Sequence, residues 1–172
     1  MPQANPHCPS LHGPVCQVAP SVVLDTNVVL DWLVFNDPTC KVLAGQLDAR
    51  QLRWHATIAM RAELCSVLPR PELLAWNADI ERVLSVFDRL ACVRPAAPAL
   101  PLPTRLRCRD TDDQKFIDLA IASGVRWLFS RDRALLDLAK PALEHGVEIL
   151  TPADWLCRYP APALHNERTG TA

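Results

Sequence analysis

Short runs of aliphatic and β-branched residues alternate along this chain with longer stretches in which apolar residues recur every three or four positions. The first run, Ser21-Val22-Val23-Leu24-Asp25, is almost wholly apolar and ends in a carboxylate, the pattern of a buried parallel strand. Val28–Phe35 and Cys40–Arg50 carry helical spacing and are separated by the breaker Asn36-Asp37-Pro38. Arg53–Thr57 predicts a second strand, and Ile58–Leu68 a helix stopped by Pro69 and Pro71. Leu73–Leu90 reads as one helix with a stripe of Leu74, Ile80, Val83, Leu84, Phe87 and Leu90, and Ala91-Cys92-Val93 as a weak third strand. Four prolines between Pro95 and Pro103 require a loop. Asp110 or Thr111 is placed to cap a helix from Asp113 to Ser123, which Gly124 ends. Val125–Ser130 and Val147–Leu150 are the last two strands, with a helix over Arg133–Leu143 between them.

Strands therefore alternate with helices, which predicts an α/β domain with a mainly parallel central sheet and helices on both faces. No internal repeat is visible. Residues 1–20, rich in proline and polar residues, read as a flexible leader, 21–156 as the domain, and 157–172 as a flexible C-terminal tail. His7, Cys8, His12 and Cys16 are metal-ligand types, but the leader predicts no fold to hold a zinc spacing.

Composition narrows the class. The 172 residues suit one domain with a real core, and an apolar share of 49% reads as globular. The formal net charge of −1 provides no global basic footprint, so a nucleic-acid partner must be argued from a local site. Seven cysteines, scattered, odd in number and never in Cys-x-x-Cys, read as reduced thiols in a cytoplasmic protein. No window is long and apolar enough to span a membrane, and the first twenty residues lack a secretory pattern. The five tryptophans, at 32, 54, 76, 127 and 155, occupy apolar positions suited to core or dimer packing more than to base stacking.

The carboxylates carry the chemistry. In parallel α/β sheets the functional edge lies beyond the carboxyl ends of the strands. Asp25 ends the most hydrophobic strand, Asp132 follows another, Asp112 and Asp113 open a helix, and Glu63 lies inside the helix after the second strand. Acids gathered at one edge repel each other unless a cation neutralises them. An all-oxygen set favours Mg2+ or Mn2+ over zinc. Each acid also has a structural reading: Asp25 as a turn or helix cap, Asp113 as a partner of a helix dipole, Glu63 as an exposed helix residue.

Four blocks in order carry a resemblance. Val23-Leu24-Asp25-Thr26-Asn27-Val28, Arg61-Ala62-Glu63-Leu64, the stretch from Arg109 through Asp112-Asp113 to Ala120, and Leu128-Phe129-Ser130-Arg131-Asp132 resemble the acid-bearing segments of PIN-domain ribonucleases. The branch resembled is the toxin components of toxin–antitoxin pairs. The resemblance implies a three-layer α/β/α fold and a metal-dependent endoribonuclease. It implies that Asp25, Glu63, Asp113 and Asp132 are the metal-binding and catalytic acids, with Asp112 the alternative to Asp113. It gives supporting roles to Asn27 and Ser130. Arg61, Lys115 and Arg131, with Arg109 and Arg133 nearby, are candidates for RNA phosphates, against solvated helix faces. A homodimer and a cognate antitoxin are the partners it implies. Two rival readings are a PIN fold that binds RNA or protein without turnover, and a phosphohydrolase with an Asp nucleophile. The latter chemistry calls for a second Asp two residues after the first, where this chain has Asn27.

Overall fold

The computed structural model describes residues 19–96 and 106–160. At its centre is β1 (Ser21–Leu24), flanked by β2 (Arg53–Ala56) and β4 (Trp127–Phe129), with β3 (Ala91–Val93) and β5 (Glu148–Leu150) outside them. The sheet order is β3-β2-β1-β4-β5, and every pairing is parallel. Val23 lies opposite His55 on one side and Leu128 on the other. The β-branched run at β1 forms the central strand because it offers apolar side chains to both faces; Val22 and Val23 are wholly inaccessible.

Helices complete a three-layer α/β/α domain, the fold class expected. They are α1 (Thr26–Leu33), α2 (Cys40–Asp48), α3 (Ile58–Val67), α4 (Pro71–Leu74), α5 (Ile80–Leu90), α6 (Gln114–Ala122), α7 (Arg133–Leu136), α8 (Ala139–Leu143) and α9 (Pro152–Arg158). The core is dense in aromatic contacts. Trp54 meets Phe87 edge-on at 4.8 Å between ring centres, and Trp127 meets Trp155 at 5.8 Å. Trp54, Trp127 and Trp155 are buried, as core residues should be, whereas Trp76 is 59% exposed. Cys40, Cys65, Cys92, Cys108 and Cys157 are all free thiols. Among the described residues no helix is long and apolar enough to cross a membrane. His7, Cys8, His12 and Cys16, and most of the proline-rich loop, lie outside the described residues.

Three boundaries depart from the hydrophobic pattern. The single helix expected over Leu73–Leu90 is two, α4 and α5. Asn77 breaks it with a left-handed backbone (φ 53°), a conformation asparagine tolerates, and the Asp79 side chain restarts it by accepting from the Arg82 N–H at 2.9 Å. The helix expected over Arg133–Leu143 divides at Asp137 and Leu138 into α7 and α8. Pro141 has no N–H to give the carbonyl of Asp137, but in the first turn of α8 no such donor is required. At the other end the folded chain continues past Leu156. Tyr159 packs on Trp127 at 5.3 Å, and its hydroxyl donates to Glu148 at 2.6 Å.

If Asp79 restarts the chain as α5, Asp79→Ala should lower unfolding free energy by about 1 kcal/mol and Asp79→Asn by much less. Urea denaturation of the two variants reads this; equal losses would remove the cap from the account.

Candidate active site

The chain lays down β1, β2 and β3 in one direction and then returns to build β4 and β5 on the other side of β1. The order reverses between β1 and β4, and in such sheets a crevice opens beyond the strand ends at that point. Asp25 follows β1 there, and Ser130 and Asp132 follow β4.

Asp25 is held by its backbone. Its N–H donates to the Phe129 carbonyl at 2.9 Å, and its own carbonyl accepts from the N–H groups of Val28 and Val29 to start α1. The side chain takes no part in capping, although the residue stands at the cap position. One carboxylate oxygen, Oδ2, instead accepts from the Asn27 amide at 2.6 Å and the Ser130 hydroxyl at 2.5 Å. Ser130 Oγ in turn accepts from the Asp132 N–H at 2.8 Å. Asn27 is fixed from the far side, its Oδ1 accepting from the Arg131 N–H at 3.2 Å. Asn27 and Ser130 thus orient a carboxylate that is only 3% exposed.

Asp113 repeats the device. It occupies the cap position of α6, where neither Asp110 nor Thr111 stands as expected, and its side chain makes no capping bond. Asp110 instead accepts from the Asp112 N–H at 2.9 Å within the preceding turn. Gln114 fastens that turn, its side chain bonding the Cys108 N–H and the Leu106 carbonyl. Asp113 is half-buried and Asp112 exposed. Asp132 caps α7 with one oxygen, accepting from the Ala134 N–H at 2.6 Å. Glu63, on α3, is paired through Oε2 with the Lys115 ammonium at 2.9 Å.

The electrostatics tie these acids together. Burial pushes the Asp25 carboxyl up to about 6, with repulsion from Glu63 adding to it, although the Ser130 and Asn27 hydrogen bonds oppose the rise. Asp113 is pushed up to about 7, first by burial and then by the charges of Asp25, Asp132 and Asp110, with Lys115 opposing. Asp25, Glu63, Asp113 and Asp132 therefore feel one another at one edge of the sheet. This is the condition for a hard, oxygen-liganded cation. Among the described residues no three His, Cys, Asp or Glu side chains converge closely enough to enclose an ion as they stand.

Two of the expected phosphate-binding cations are engaged elsewhere. Arg61 makes a two-pronged pair with Asp88 of α5, at 2.6 and 2.7 Å. Arg131 is clamped by Asp31 of α1, at 2.7 Å, and by Asp37 in the loop after it. Both carry positive charge, and each is paired with a carboxylate within the protein. Lys115 is likewise bound to Glu63 and to the Asp112 carbonyl. Arg109 and Arg133, the latter paired with Asp137 at 3.1 Å, line a cleft of about 430 Å3 with Asp110, Thr111, Asp132 and Ala134, beside the acids. The sequence pattern does not single out Asp31 and Asp37. The available signal was the spacing of Asp31 from Asn27, four residues along α1 and so on the same face.

An all-parallel α/β/α domain with acids gathered at its switch point belongs to the class suited to metal-assisted phosphodiester chemistry. The family model of the PIN domain matches residues 21–134, well over half of the chain, and the chain belongs to the PIN-domain family, whose members are generally metal-dependent nucleases. No curated protein matches the chain.

The raised carboxyls fix a sign for pH dependence. Against an ordinary value of 3.8, Asp25 and Asp113 keep their protons in the fold at pH values where the unfolded chain has lost them. These two carboxyls therefore withdraw stability as pH rises from about 4 to about 7, while His55, which burial holds below its ordinary 6.5, contributes in the opposite sense below about 6.5. In chelator, the urea midpoint should fall across that window, and Asp25→Asn or Asp113→Asn should flatten the fall and raise the midpoint at neutral pH. A pH dependence identical in the parent and both variants would contradict the clustering.

Proposed function

We propose that the protein is a metal-dependent endoribonuclease and the toxin of a toxin–antitoxin pair. The observation that carries the nuclease reading is the mutual repulsion of Asp25 and Asp113 at the switch point of a PIN fold. Asp25, Glu63, Asp113 and Asp132 would hold Mg2+ or Mn2+. Bound there, such an ion lowers the pKa of a water and offsets charge growing on the phosphorus.

The chain's own residues do the rest. Ser130 and Asn27 donate to a single oxygen of Asp25 and leave the other to act. Asp132 keeps one oxygen on the Ala134 N–H and so presents the second in a fixed direction. Asp113, which makes no capping bond, is free to turn toward the cluster. Lys115 neutralises Glu63 until a stronger cation enters. Arg109, in the adjoining cleft, offers charge to a substrate phosphate. Hydrolysis through an activated water leaves a 5′-phosphate. A homodimer, a cytoplasmic setting and an antitoxin that reaches into the acid cluster complete the reading.

The Lys115–Glu63 pair favours a second reading. An internal cation that already satisfies one acid suits a PIN fold that binds RNA or a protein partner with little turnover.

Incubating a mixed RNA pool with the purified protein in magnesium, manganese or chelator separates the two. Metal-dependent cleavage is expected, reduced about 100-fold or more in Asp25→Ala and Asp113→Asn and nearly unchanged in Asp112→Asn. Equal activity in the parent and Asp25→Ala proteins would reject the ribonuclease assignment. Growth arrest on expression, relieved by a co-expressed small neighbouring gene product, would test the toxin role.

A further inference from the structure

A second cleft, of about 200 Å3, opens on the loop between α1 and α2; Trp32, Asn36, Lys41 and Arg82 line it, with Asp37 in its wall. Lys41 and Arg82 are exposed, and neither has an ion-pair partner among the described residues. The wall carboxylate, Asp37, is neutralised by Arg131 and accepts from the N–H and hydroxyl of Thr39, both at 2.7 Å. The net local charge of the cleft is therefore positive, on a chain whose overall charge is −1.

An aromatic surface adjoins it. Asn36, on the cleft, has a left-handed backbone (φ 52°), and its neighbour Phe35 supports Trp76 edge-on at 4.9 Å between ring centres. Trp76 stays 59% exposed, a large apolar ring left in water with one edge braced. The cleft is also tied to the acid cluster. Arg131, whose guanidinium grips Asp37, donates its N–H to Asn27, and Asn27 donates to Asp25.

Cations unpaired among the described residues, on a cleft whose residue Asn36 adjoins the ring that braces an exposed indole, supply the two elements by which single-stranded nucleic acid is held: phosphate on the cations, base on the ring. An acidic protein segment would use Lys41 and Arg82 but has no need of the indole. We propose that Lys41, Arg82 and Trp76 form a subsite for a nucleotide of single-stranded RNA flanking the scissile bond. The choice of RNA rests on the ribonuclease reading above.

The test separates binding from turnover. Full-length Asp25→Asn protein in chelator is titrated with fluorescein-labelled oligouridylate at several salt concentrations, and anisotropy is followed. Adding Lys41→Ala and Arg82→Ala together should reduce the slope of log K against log salt by about 0.7 for each phosphate no longer neutralised. Adding Trp76→Ala should weaken binding about fivefold or more and leave the slope unchanged. Since no cleavage is read, an inactive wild-type protein would not disturb either result. The subsite is overturned if affinity and slope are the same in all variants. It is overturned too if polyglutamate competes as well as unlabelled oligouridylate while Trp76→Ala has no effect, which would assign the surface to an acidic protein.

Discussion

The fold and the site both depend on one junction, where β1 ends against β4. The Asp25 N–H donates to Phe129, its carbonyl starts α1, and its side chain accepts from Ser130, just past the end of β4. A carboxylate is thereby buried beside the central strand, where desolvation first and repulsion from Glu63 second oppose its charge. Two hydrogen-bond donors on one oxygen, Asn27 and Ser130, offset that cost in part. The remaining acids arrive from three further elements, and each arrival makes the deficit of positive charge larger.

Much of this was legible in the sequence because the strongest signals are local. The apolar run ending in Asp25, the alternation of strand and helix, and the acid after Ser130 follow from residue types over a few positions. The left-handed turn at Asn77 hides inside an uninterrupted helical stripe, so Leu73–Leu90 reads as one element. Pro141 is visible, but its consequence four residues earlier, at Asp137, is not. Capping is misplaced at α6 for a related reason. Composition shows that Asp110, Thr111 and Asp113 can each cap, but not that the turn closed by Asp110 and Gln114 leaves Asp113 unbonded. Pairings across the chain, such as Arg61 with Asp88 or Arg131 with Asp31 and Asp37, depend on how helices pack and leave almost no local trace.

Those pairings change how the surface should be read. A count of Arg and Lys near the acids suggests a basic rim, yet Arg61, Lys115 and Arg131 are each matched by a carboxylate. Arg131 in particular links the loop after α1 to the residues that orient Asp25. The charge left for a polyanion lies elsewhere, at Arg109 beside Asp132 and at Lys41 and Arg82 across the clamp.

At Asp25 the backbone pairs with β4 and starts the helix, while the carboxylate makes no cap bond and adds only side-chain hydrogen bonds from Ser130 and Asn27. The two duties are therefore separable in heredity. A single nucleotide change that removes the carboxyl leaves a chain that still folds and still presents its surfaces to whatever binds them. Under selection such a lineage can keep its associations while abandoning its chemistry, so intact architecture in a descendant is no guarantee of an intact catalyst.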